Sequence, residues 1–152
     1  MKLSLRTQRW FYAVFGVLFF SGLLWLISHY ILEGPGDFSS PYHQLEAWLI
    51  KIHGGAAMLS LLVLGVLIPT HMRLGWKQHR NRRSGIIIAS TCMILVVSGY
   101  GLYYLGNEQW RSIASWMHSA LGVGFPLILL IHILMGRGKR RGRPHRSQSH
   151  KV

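Results

Sequence analysis

Four stretches without a single Lys, Arg, Asp or Glu decide what this chain can become: residues 10–32, 52–72, 84–107 and 112–136. Each is long enough to cross the ~30 Å of bilayer hydrocarbon as a helix, which takes about 20 residues. In hydrocarbon no water satisfies exposed N–H and C=O groups, so a short chain of this kind crosses as helices that bond their own backbone. At 152 residues, half of them apolar and with a mean hydropathy of +0.27, the sequence leaves no room for a second, soluble domain. The expected fold is therefore all-α: an integral membrane four-helix bundle over residues 1–136, with helices at about 10–32, 43–72, 84–105 and 110–136. The basic remainder, 137–152, is low in apolar residues and is expected to be a disordered tail.

The net charge of +13 would suit a nucleic-acid binder, but its placement argues for membrane topology. Fifteen of the seventeen Lys and Arg lie at the N-terminus, between Arg73 and Arg83, or from Arg137 onward. All four acids, Glu33, Asp37, Glu46 and Glu108, lie in the two remaining connections. The positive-inside bias puts both termini and the middle loop in the cytoplasm and the acidic connections outside. The basic tail would also attract anionic lipid head groups. Lys2, Arg6 and Arg9 precede the first apolar run as in a signal peptide; that run is too long for one and no small-x-small cleavage site follows, so it reads as a retained span. A lone Cys92, inside the third run, excludes an iron–sulfur cluster and c-type haem attachment.

Histidine placement carries the chemistry. His118 and His132 lie in the fourth run, fourteen residues apart, which brings them to within about 40° of one helix face and sets them ~21 Å apart along it. Imidazoles in a membrane span are costly and mark functional sites by default. Two on one face at two depths is what a helix needs to give one axial ligand to each of two stacked haems. The second run repeats the pattern: His53 and His71 are eighteen residues, five whole turns, apart. His53 lies seven residues past Glu46 and His118 seven past Arg111, so the two stand at one depth below the outer boundary. His71 and His132 match less closely at the other end. The bland alternative is that these rings are hydrogen-bonded core histidines. The third run has no histidine; its Ser90, Ser98, Gly99 and Gly101 read as packing positions, as do Gly16, Ser21 and Gly22 of the first. Lys51 and Arg111, the only outer cations, stand near the level of the outer pair, where haem propionates would meet them or where they would simply snorkel. His29 and His43 read as interfacial residues with a propionate or quinone as the alternative partner.

Four spans, a histidine in the second, and Trp116-Met117-His118 followed fourteen residues later by His132 in the fourth resemble the small bacterial di-haem b-type cytochromes. These include free-standing membrane cytochrome b proteins and the cytochrome b subunits of formate dehydrogenases and nickel–iron hydrogenases. The resemblance covers about residues 10–136. It implies two b haems, the outer held by His53 and His118 and the inner by His132. In several of those families the fourth ligand comes from the cytoplasmic end of the first helix; here that region reads Gln8-Arg9-Trp10, so His71 would have to serve.

The functional expectation is a multi-pass protein of the bacterial inner membrane that carries electrons between the quinone pool and a periplasmic or membrane redox partner. Bis-histidine ligation leaves the iron no open position, so its work is electron transfer, not oxygen activation. Two alternatives stand beside it: a single outer haem with His71 and His132 in a quinone or proton-relay site, and a haem-free anchor or assembly subunit of a larger respiratory complex.

Overall fold

The computed structural model describes residues 5–32, 42–73, 77 and 82–141, with side chains described over 8–32, 42–69, 72–73, 77 and 82–136. Among them there is no strand, and four helices are long and apolar enough to cross a membrane. These are α1 (Leu5–Ile27), α2 (Tyr42–Leu67), α3 (Arg82–Tyr104) and α4 (Glu108–Arg141). They form two helical hairpins, α1 with α2 and α3 with α4, each a compact unit in its own right.

Two spans end differently from a plain α-helix. After Ile27 the backbone widens into a π-helical turn, Ser28–Leu32, and α2 does the same at Ile68–Met72. In the second case Pro69, which has no N–H to donate, lies inside the turn, and the chain recovers with Arg73 N–H donating to the Ile68 carbonyl. Pro126 does not break α4, which runs through it. That helix continues beyond Gly136 as far as Arg141; residues 142–152 of the expected tail lie outside the described residues.

The turn between α3 and α4 is fixed by its own chemistry. Leu105 N–H donates to the Gly101 carbonyl at 2.8 Å, closing α3. Asn107 then caps α4: its Oδ1 accepts from the Trp110 N–H at 3.2 Å and its carbonyl from the Arg111 N–H at 3.0 Å. Glu108 follows in the first turn, where the helix dipole favours an acid.

Both hairpins are inside-out relative to a water-soluble protein. The buried hydrophobic residues are Leu49, Ala56 and Ala114, whereas Ser21, Ser28, Glu46, Ser60, Ser84, Thr91 and Ser98 are buried polar ones. Large apolar side chains such as Phe20, Met58, Leu62, Val97 and Leu127 point outward. In lipid that pattern is favourable, because small residues let helices approach and apolar groups gain nothing by hiding from one another. The buried serines and threonine recur every seven residues, two turns, along the first span (Ser21 on α1, Ser28 opening its π-helical turn) and along α3 (Ser84, Thr91, Ser98). This is the seam of a left-handed helix pair with small residues at each layer. Several of the buried hydroxyls bond back to their own helix: Thr91 donates to the Ile87 carbonyl at 2.8 Å, Ser98 to Ile94 at 2.7 Å and Ser60 to Ala57 at 2.7 Å.

Candidate haem-ligand histidines

Opposite the serine layers stand the histidines. His53, His118 and His132 are all half-buried and face the partner helix of their own hairpin. In the first hairpin, His53 Nδ1 lies 2.9 Å from the Leu18 carbonyl and 3.2 Å from Ser21 Oγ. A carbonyl can only accept, so Nδ1 carries the hydrogen and donates it; in the neutral ring the lone pair is then on Nε2.

The second hairpin repeats the device. Ser98 Oγ lies 3.0 Å from His118 Nδ1. A hydroxyl has one proton, and that of Ser98 goes to the Ile94 carbonyl, so towards the imidazole the serine is the acceptor and His118 again donates from Nδ1. His132 Nδ1 lies 2.9 Å from Ser84 Oγ. The residue numbers of the two pairs add to the same value, 216, so both belong to one antiparallel register. The fourteen residues from Ser84 to Ser98 match the fourteen from His118 to His132.

Glycines make room for the rings. A Cβ at Gly22 would come within 2.8 Å of His53 Cε1, and one at Gly99 within 3.1 Å of His118 Cε1. Each therefore follows an anchoring serine and lets the imidazole lie against bare backbone. Ser84 is also followed by a glycine, Gly85, with open space around it.

The arrangement fits axial ligation. Metal-bound imidazoles bind through one nitrogen while the other donates to a carbonyl or hydroxyl that fixes tautomer and ring angle; His53 and His118 make that contact, and His132 Nδ1 has a hydroxyl at hydrogen-bond distance. Among the described residues no group of three or more His, Cys, Asp and Glu gathers in one place. A haem iron asks for only two protein nitrogens, so the absence of such a group does not bear on haem ligation.

The other sequence candidates are placed as follows. His71 lies on the π-helical turn after α2, with its side chain outside the described residues. Lys51 is exposed and holds its ammonium 4.9 Å from the centre of the Trp48 ring, a cation–π contact within one turn. Arg111 is exposed in the first turns of α4. Cys92 is half-buried and unpaired, as a small residue of the span. His43 is exposed at the start of α2, whereas His29 is engaged: its Nδ1 lies 3.4 Å from Glu46 Oε2 and 3.3 Å from Oε1, and its ring stacks on Trp25 at 4.7 Å.

Sequence reasoning takes Ser21 and Ser98 for packing positions and pairs no serine with a histidine. Ser21, Ser84 and Ser98 each head a Ser-Gly dipeptide, the only three in the chain, and each touches a histidine. That recurrence, with the shared spacing of fourteen, was the available signal. Compared with known proteins, this chain matches no family model, no curated protein and no solved structure.

Proposed function

We propose that this chain is a di-haem b-type cytochrome of the bacterial inner membrane, with both termini in the cytoplasm, carrying electrons between the quinone pool and a periplasmic redox partner. One observation supports it above the others: three imidazoles in apolar-surfaced spans, each with Nδ1 anchored on its hairpin partner. His53 and His118 would hold the haem nearer the acidic connections, and His71 and His132 the one nearer the basic ones. In keeping with that division, His53 follows the start of its span at Tyr42 by eleven residues and His118 follows Glu108 by ten.

The haems supply the redox couple, cycling between ferric and ferrous iron. The chain's own residues do the rest. The Leu18 carbonyl and the Ser21 and Ser98 hydroxyls hold the imidazoles in the Nδ1–H tautomer and fix their rotation, which spares reorganisation when charge arrives. Gly22 and Gly99 keep the rings against the helix backbone. The lipid-facing apolar residues exclude water, raising the cost of charge at the site and so tuning its potential. Arg111 stands in the first turn of its span and Lys51 two residues before His53 in its own, where they would meet propionates.

The deciding measurement is a reduced-minus-oxidised spectrum with pyridine-haem quantification on the purified chain. Two b haems per chain are expected, one fewer in His53→Ala and in His71→Ala, with a different signal lost in each. Colourless protein, or haem content unchanged in both variants, would overturn the assignment.

A further inference from the structure

One cluster in the first hairpin takes no part in holding imidazoles for iron. At the end of α1 and in the turn that follows, Trp25, Ser28 and His29 fall on one helix face, with Trp25 stacked on His29 and His29 meeting Glu46 of α2. Ser28 is 1% exposed and Glu46 8%, both deeply buried. The carboxylate reaches His29 Nδ1 through Oε2, while Oε1, although 3.3 Å from the same nitrogen, has no hydrogen-bond partner. Ser28 Oγ and Trp25 Nε1 are likewise buried without one. Ser28 and Glu46 have residue numbers that add to 74, the same as Ser21 and His53, so they occupy the next layer of one seam. Yet no hydrogen bond joins them.

Two unspent donors and one unspent acceptor, all buried, are costly unless something bonds to them, since each lost partner costs about 1–3 kcal/mol. Elsewhere along this seam the serines bond to backbone carbonyls. Here the chain has widened into a π-helical turn, a departure that recurs at functional sites. The stacked rings of Trp25 and His29 offer a flat wall. The cluster's sequence neighbours Tyr30, Ile31, Leu32 and Leu45 are exposed and largely apolar, a surface suited to a ligand that arrives through lipid.

We infer that this cluster binds the head group of a membrane quinol, with Glu46 as its proton acceptor. A quinone carbonyl accepts from Ser28 Oγ and Trp25 Nε1; a quinol hydroxyl donates to Glu46 Oε1. A ligand that alternates between accepting and donating uses all three atoms. Oxidation of the quinol to quinone breaks two O–H bonds and releases two electrons and two protons. The electrons reduce two ferric haems. The first proton passes to Glu46 and on to His29, whose side chain is 43% exposed and so reaches the surface; the restored carboxylate then takes the second. The electron half of this rests on the di-haem reading, whereas binding of the head group does not.

The test uses the full chain in lipid nanodiscs with a short-chain quinone, labelled with ¹³C at its carbonyls, and its quinol. Infrared spectra of the oxidised form should show a carbonyl band lowered by hydrogen bonding, moved back towards the unbound position in Ser28→Ala and Trp25→Phe. Stopped-flow reduction of the haems by the quinol should slow about a hundredfold in Glu46→Gln, the scale of a lost general base, while dithionite still reduces all of the haem. An unshifted band in the wild type, or bands and rates that no variant changes at intact haem content, overturns the site and leaves the cytochrome standing. A shifted band in colourless protein supports the site and overturns the cytochrome. Should Glu46→Gln fail to fold, the Ser28 and Trp25 variants decide through the band alone.

Discussion

At the scale of single residues, the serines and glycines opposite the histidines carry the most specific consequences. Ser98 accepts from His118, and a ligand that donates from its second nitrogen is more basic and favours ferric iron. Ser98→Ala removes that acceptor, so the midpoint potential of the haem proposed at His118 should rise. A hydrogen bond is worth about 1 kcal/mol and a tenfold change in a one-electron equilibrium is ~59 mV, so the rise should be on the order of tens of millivolts. A redox titration reads this directly, and an unchanged potential would mean that the serine does not touch the ligand. Gly22→Ala acts by volume instead. Its new methyl would stand 2.8 Å from His53 Cε1, closer than carbon atoms approach, so the ring must turn. Loss of one low-spin haem signal with retention of the other is the expected spectrum. None of this is legible from residue types alone, because a serine in an apolar run looks like any other small packing residue.

Between single residues and the molecule stands the helix pair, where register is the controlling quantity. That four spans exist follows from a one-dimensional signal, the absence of charge over some twenty residues; three of the described spans begin close to their uncharged runs, whereas the second begins earlier, at Tyr42, and takes Glu46 and Lys51 into the helix. Which residue of α3 meets which of α4 is a two-body property. Nothing in α3 alone distinguishes Ser98, a partner of His118, from Ser90, which the sequence reading grouped with it as a packing position. The tight turn at Leu105–Asn107 sets that register, and from it Ser84 meets His132 and Ser98 meets His118. The helical ends at Ser28–Leu32 and Ile68–Met72 are equally illegible, although Pro69 explains the second. One alanine inserted after Thr91 tests the register. It rotates the first half of α3 by about 100° relative to the second, so Ser84 leaves His132 while Ser98 stays with His118. One haem should change its potential and spectrum, and the other should keep both. Equal disturbance of the two would show that the layers do not act separately.

Over the whole chain, charge and apolar surface act together. The cores of both hairpins are small and polar and their surfaces large and apolar, an arrangement that water would unfold and lipid favours. Orientation then depends on the connections, since the interior of a bilayer does not distinguish its two faces. Five bases fall between Arg73 and Arg83, against Glu33 and Asp37 in the connection before α2, and moving lysine or arginine across a bilayer during insertion is disfavoured. A periplasm-dependent phosphatase fused within residues 33–41 should therefore be active, and the same enzyme fused after Arg141 inactive. Neutralising Arg80, Arg82 and Arg83 together should weaken the bias and give a mixed population. The reverse pattern would place the His29–Glu46 pair on the cytoplasmic side. Protons taken from a quinol there would then return to the compartment they came from. With the expected orientation they leave outward, so electron transfer through this chain would add to the proton gradient and not merely pass charge across it.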